Sequence, residues 1–311
     1  MRSDAIHPSA PIARLSAAHK RYGAITALAG IDLDIRRGEL LALLGPNGAG
    51  KSTALGLLTG RFGADAGTVS VFGADPRDAA TRRRFGVMQQ EAKLPETMKV
   101  RELVNLFASY YPAPRGVDET LSLAGIGDLA QRRYAALSGG QQRRVQFAVA
   151  ICGAPELLFV DEPTTGLDVD ARRGFWQVLR GLREQGLSIV LTTHYLEEAD
   201  ALAERVVLID HGRVLAEDTP AGIKARASGS RIRCSSALDV ASIARWAGVH
   251  SVQRDGSRLS IRGADSDALV RQLLAADPSL SGLEVSALSL EDAFIELTRS
   301  ADTATPIGEA A

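Results

Sequence analysis

One eight-residue segment constrains the fold of this chain more than any other. Gly45-Pro46-Asn47-Gly48-Ala49-Gly50-Lys51-Ser52 matches the phosphate-binding loop pattern in full. It follows Leu40–Leu44, a continuously apolar run of the kind that makes a strand covered on both faces. It opens a segment with helical character from about Lys51 to Thr59. Strand, loop and helix together form the context that gives the pattern its meaning. The glycines let backbone N–H groups turn inward onto phosphate oxygens. Lys51 offers a point charge to the outer phosphates and Ser52 a hydroxyl to Mg²⁺. The helix N-terminus adds a positive potential.

The rest of the chain supplies the sheet that such a loop requires. Strand Leu157–Asp161, helix Asp170–Glu184, strand Leu187–Thr192 and helix Glu197–Leu202 alternate in βαβα order. That order implies an α/β fold, a parallel sheet with helices on both faces. Ile31–Ile35 and Thr68–Phe72 alternate with period two, as half-buried strands do. Phe85–Met88 reads as a short strand, and Val206–Ile209 with Arg213–Ala216 as a hairpin about His211-Gly212. Between about Glu91 and Leu137 the spacing turns helical, at Val100, Leu103, Val104 and Phe107 and again over Val117–Leu129. This stretch reads as a helical insertion. A helix then runs Gly140–Cys152 until Gly153 and Pro155 stop it.

Ala225–Ser230 has the composition of a linker. Residues 226–299 read as a small C-terminal α+β domain, with strands near 232–236, 250–254, 259–262 and 283–287 and helices near 240–247, 267–275 and 290–298. Residues 1–12 and 300–311 are expected to be disordered.

Charge and cysteine content narrow the function. The 36 basic residues balance 37 acidic ones, so nothing points to nucleic acid as a partner. Arg82-Arg83-Arg84 and Arg143-Arg144 read as solvated faces. Cys152 and Cys234 fit neither a metal spacing nor a disulfide framework, which suits a reducing compartment, and Cys152 reads as core. The polar start carries no signal-sequence run, and the longest apolar runs are too short to span a bilayer. A cytoplasmic location is expected, with any membrane role arising from docking.

Two further motifs carry chemistry. Leu157–Glu162 is an apolar strand ending in two carboxylates. Ligands of such sheets bind at the strands' carboxyl ends. Asp161 would face the Mg²⁺ that Ser52 holds, and Glu162 would orient or deprotonate a water beside the γ-phosphate. The alternative, acids that merely cap a strand in solvent, stays open on this segment alone. Leu137-Ser138-Gly139-Gly140-Gln141 sets Ser138 as N-cap of the helix that follows. Its glycines clear the helix mouth, which makes a second anion site.

With these motifs together, residues 13–225 resemble the ATP-binding-cassette (ABC) ATPases. The resemblance implies a P-loop NTPase parallel sheet with an antiparallel β subdomain and the helical insertion. It implies ATP and Mg²⁺ as cofactors and a homodimer of nucleotide-binding domains. Residues 137–141 resemble the family signature, in which Ser138, Gly139, Gly140 and Gln141 meet the nucleotide of the other subunit. Gln90 resembles the glutamine that bridges Mg²⁺ or water to the membrane partner, with Gln89 as the alternative. Thr165-Gly166-Leu167-Asp168 resembles the loop that crosses the dimer, His194 the switch histidine and Tyr22 the aromatic that stacks on adenine. The implied nucleotide contacts are Tyr22, Gly45, Pro46, Asn47, Gly48, Ala49, Gly50, Lys51, Ser52 and Thr53. Ser52, Gln90 and Asp161 would hold the metal, and Glu162, His194 and Gln90 would serve catalysis.

Thr193–Asp200 and Ser289–Phe294 are similar to segments of type-2 ABC exporters of the daunorubicin-resistance kind. This implies an ATPase on the inner face of the membrane, powering efflux of a drug, lipid or polysaccharide-like substrate through a separate integral membrane permease. The alternatives are an importer ATPase, or a non-transport ABC protein acting on a ribosome or DNA. Within the insertion, Leu94, Phe107, Tyr110 and Tyr111 read equally as a docking groove for the membrane subunit and as the insertion's own core.

Overall fold

The computed structural model describes residues 10–226 and 229–304. They divide into two compact units, one ending at Pro220 and one beginning at Ala221. In the first, β1 (Ala13–Tyr22), β2 (Ile25–Ile35) and β4 (Ala66–Val71) form an antiparallel sheet in the order β2-β1-β4. A second sheet has six strands in the order β5-β6-β7-β3-β8-β9. These are β3 (Leu40–Leu44), β5 (Phe85–Met88), β6 (Leu157–Asp161), β7 (Ser188–Thr192), β8 (Arg205–Asp210) and β9 (Arg213–Asp218). All neighbours in it are parallel except the β8–β9 hairpin.

Strand β3 shows why its run is apolar throughout. All five residues are buried. Leu40 joins the core built with α3 (Val100–Ala108), α5 (Gly139–Ile151) and α6 (Val169–Glu184). Leu41 and Leu43 face the opposite core, shared with α1 (Lys51–Leu58) and the antiparallel sheet. A fully buried leucine contributes roughly 1.5–3 kcal/mol, so a strand with apolar neighbours on both faces anchors whatever loop leaves it.

The insertion contains α3, α4 (Val117–Leu123) and two short 3₁₀ turns, Gly127–Leu129 and Tyr134–Ala136. The single helix expected over 117–129 is broken because Gly125 adopts φ 65°, which closes α4. Between β4 and β5 lies the single turn α2 (Ala79–Arg82), and α7 (Leu196–Leu202) joins β7 to β8. Among the described residues, no helix is long and apolar enough to cross a membrane.

The second unit has a four-stranded antiparallel sheet, β11-β12-β10-β13. Its strands are β10 (Ser230–Ser235), β11 (Val249–Asp255), β12 (Arg258–Gly263) and β13 (Ser281–Ala287). Ile232, Cys234, Leu259 and Ile261 pack with Leu269 and Leu273 of α10 (Ser266–Ala276) and Ile243 of α9 (Val240–Ile243). A helix α8 (Pro220–Arg226) precedes this sheet, and α11 (Leu290–Ala304) ends the described chain. Ser289 and Asp292 cap the start of α11 reciprocally, and Asp292 pairs with Arg231 of β10. The disorder expected for 1–12 and 300–311 falls, at 1–9 and 305–311, outside the described residues; α11 carries over the start of the latter segment.

Candidate active site

The sheet gathers its functional residues at one edge, where the parallel strands end. The loop 45–50 leaves β3 and enters α1 at Gly50, which adopts φ 109° and provides no side-chain cap. A Cβ on Gly50 would lie 2.5 Å from the Ala27 carbonyl oxygen, and one on Gly45 2.1 Å from that of Ile209. Neither position tolerates a side chain, so the loop backbone is set against the sheet. Gly48, in contrast, faces open space. Lys51 is buried, and its Nζ donates to the carbonyls of Gly45 at 2.7 Å and Pro46 at 3.1 Å. Burial pulls its ammonium below the ordinary lysine range, against the opposing field of Glu162 and Asp161.

Strands β6 and β7 run in register, with Asp161 beside Thr192. That alignment brings the residues just beyond their ends together. The Thr192 hydroxyl donates to Asp161. Glu162 is buried and adopts φ 50°, a left-handed conformation unusual for this residue type. Its N–H is held by the Thr192 carbonyl at 3.0 Å. Its Oε2 lies 2.5 Å from Nδ1 of His194, whose side chain is 46% exposed. The His194 ring lies against Tyr195, over which Arg172 sits.

Ser138 and Gln141 form a capping box on α5. The Ser138 hydroxyl accepts from the Gln141 N–H at 3.4 Å, and the Gln141 side chain accepts from the Ser138 N–H at 3.1 Å. Gly139 has no neighbour where a Cβ would stand, while Gly140 lies against Leu167. Asp168 caps α6 by accepting from the Ala171 N–H at 2.7 Å. Tyr22 is 47% exposed at the end of β1, edge-on to Phe62. Ser52 is exposed and Thr53 half-buried at the start of α1. Gln89 and Gln90 are both exposed, so their surroundings do not choose between them.

The structure thus joins Lys51, Asp161, Glu162 and His194 at one place. It keeps the hydrogen bonds of Ser138 and Gln141 within α5. In the insertion, Leu94, Phe107 and Tyr111 pack against the core, while Tyr110 stays 63% exposed.

The arginine pair needs a correction. Arg143 is not on a solvated face. It is buried and donates to backbone carbonyls from Gln89 to Pro163. The signal was in the helical period, because Phe147 and Ile151 lie on the same face and are buried too. Glu198 was missed as well. It is buried in α7, receives the Trp176 Nε1–H at 2.9 Å, and burial raises its pKa.

Comparison with known proteins places this geometry. The family model described as ABC transporter matches residues 28–165. The daunorubicin/doxorubicin resistance ATP-binding protein DrrA of Streptomyces peucetius is 35% identical over 296 residues, 90% of each chain. The chain belongs to the ABC transporter family. The Nod factor export ATP-binding protein I of Ralstonia nicotianae is 34% identical, over 93% of this ABC subunit and 94% of the relative. Among solved structures, the dimeric bacterial ABC transporter cassette MJ0796 is similar with a TM-score of 0.62. That cassette is 28% identical, and the match spans 67% of this chain and 98% of the other. A post-hydrolysis state of the same cassette, bound to ADP and Pi, matches equally. This ABC subunit is the ATP-binding and ATP-hydrolysing component of an exporter.

Proposed function

We propose that two copies of the chain sandwich two ATP molecules head to tail, and that hydrolysis there drives export through a separate integral membrane subunit. The observation that carries this reading is the division of the cradles. Lys51 stands with Asp161, Glu162 and His194, whereas the hydrogen bonds of the Ser138 cap stay inside α5. A second copy can bring its Ser138, Gly139 and Gly140 onto the γ-phosphate that Lys51 holds.

Each residue then has a role in binding or in proton transfer. Loop amides at 45–52 and Lys51 bind the phosphates, and Tyr22 offers its exposed ring to adenine. The oxygen donors of Ser52, Asp161 and Gln90 suit Mg²⁺, a hard cation; bound there it would neutralise phosphate charge. Glu162 orients the attacking water and accepts its proton. His194 donates to Glu162 through Nδ1, and as an imidazolium it also donates its Nε2–H to the γ-phosphate. The signature helix of the partner replaces the arginine finger of other phosphate-loop enzymes, and Asp168 lies in the loop that crosses the dimer.

Residues 13–225 form the nucleotide-binding domain and 226–299 an accessory domain. The membrane subunit docks on the insertion, where Tyr110 is exposed. The cargo is a drug, lipid or polysaccharide-like molecule handled from the inner membrane face; the relatives named above act in drug resistance and in Nod factor export.

The test is the oligomeric state. Glu162→Gln keeps the shape but loses the charge, so hydrolysis should fall at least a hundredfold while ATP binding persists. Light scattering should show an MgATP-dependent dimer of this variant, and adding Ser138→Arg should abolish it. Wild-type turnover in Glu162→Gln would remove the catalytic assignment. A variant that stays monomeric at high ATP would make the membrane subunit necessary for the sandwich.

A further inference from the structure

One buried cation takes no part in that chemistry. Arg143 lies on α5, five positions after Ser138, and its guanidinium is surrounded by acceptors. Nη1 donates to the carbonyls of Gln89 and Gln90, both at 2.8 Å, and to Oε1 of Gln146 at 2.9 Å. Nη2 donates to the carbonyls of Asp161 at 3.0 Å and Glu162 at 2.5 Å. Nε reaches the Pro163 carbonyl at 3.3 Å. No carboxylate oxygen is among these acceptors. The charge rests on carbonyl dipoles at the ends of β5 and β6 and on the field of Asp161 and Glu162.

We infer that Arg143 is a positioning residue that couples the two ATP sites of the dimer. The inference rests on the sandwich reading above. In that arrangement α5 serves the partner's ATP through Ser138, while Gln90 and Glu162 serve the ATP of their own chain. Arg143 bolts the helix to the backbone of both residues at once. Any shift of α5 as Ser138 engages a γ-phosphate is therefore carried to Gln90 and Glu162. The planar fork is what allows this, because its donors point at two strand ends simultaneously. A lysine ammonium is a single point and reaches only one of them. The left-handed backbone at Glu162 falls under the same control, since Nη2 holds its carbonyl.

The experiment is steady-state hydrolysis against MgATP concentration for the full chain, its Arg143→Lys variant and its Arg143→Gln variant. The wild type should show a Hill coefficient above 1. Both variants should show a coefficient near 1, a kcat lower by tenfold or more, and a KM within threefold. A purely structural role would instead lower the melting temperature and the active fraction while leaving the Hill coefficient unchanged, and that result would overturn the inference. If neither variant folds, Gln146→Leu takes their place. It removes one of the three acceptors that Arg143 Nη1 serves, without touching nucleotide, and should show the same split more mildly; an unchanged coefficient there also overturns the inference. Light scattering of Glu162→Gln runs alongside. Absence of its dimer removes the coupling from the chain alone and leaves the sandwich dependent on the membrane subunit. A normal dimer with hyperbolic wild-type kinetics, or with cooperativity intact in Arg143→Lys, removes the coupling alone.

Discussion

Lys51 and Arg143 are both buried cations at the same edge of the sheet, yet they are held in opposite ways. Lys51 makes two bonds, both to carbonyls of its own loop. It can exchange them for phosphate oxygens by rotating a flexible stem. Arg143 has every side of its fork engaged, across two strands and a helix neighbour. Releasing it would strand buried carbonyls. A cation that must meet a ligand is bound loosely to groups that can spare it, and one that must hold a frame is bound to groups that cannot.

The largest consequence concerns activity. Lys51→Ala should reduce ATP turnover by about a hundredfold to a thousandfold, the range seen when a preorganised charge donor is lost. Its fold should persist, with unfolding free energy within about 1 kcal/mol of wild type. A folded Lys51→Ala protein with normal turnover breaks the comparison at its first member.

The second consequence concerns stability. Arg143→Met should cost about 3 kcal/mol or more in urea unfolding, because an unpaired buried carbonyl costs about 1–3 kcal/mol. A loss no larger than that of Lys51→Ala would show that the fork holds nothing.

The smallest effect is in pH. Burial depresses the Lys51 pKa below its ordinary value of about 10.4. The unfolded chain therefore binds this proton more readily, and the Lys51 contribution to stability rises with pH between the two values. ATP affinity should run the other way, falling as Lys51 loses its charge above the depressed pKa of the free protein. Lys51→Arg should abolish that fall, since guanidinium keeps its proton there. Arg143 variants should leave the profile unmoved. Fluorescent-nucleotide titration across this pH range reads the difference.

How far the site was legible follows from where its information lies. The phosphate loop and the end of β6 could be read because a short run of residues dictates both backbone path and chemistry. Strands β3, β5 and β6 appear at the residues their apolar runs predict. Arg143 could not be read from its immediate neighbours, since two adjacent arginines look like a solvated face. Its acceptors lie more than 50 positions back and about 20 ahead, at separations of 54 and 18 residues. Glu198 went unread for a related reason. Acids in the first turn of a helix usually complement its dipole from solvent, but this one is covered and bonded to Trp176. The choice between Gln89 and Gln90 stays open in the sequence because both carbonyls are held alike and both side chains are exposed.

The backbone of Glu162 has a last consequence for anyone who selects this protein for heat resistance. A side chain held at φ 50° is strained by about 1–2 kcal/mol relative to glycine. Its carboxylate meets His194, whose half-exposed ring can bond water instead. Replacement by glycine would relieve the backbone strain, so thermostability screens that ignore turnover should enrich Glu162→Gly. Durability and work compete at this one residue, and a library meant to keep the motor running has to hold it constant.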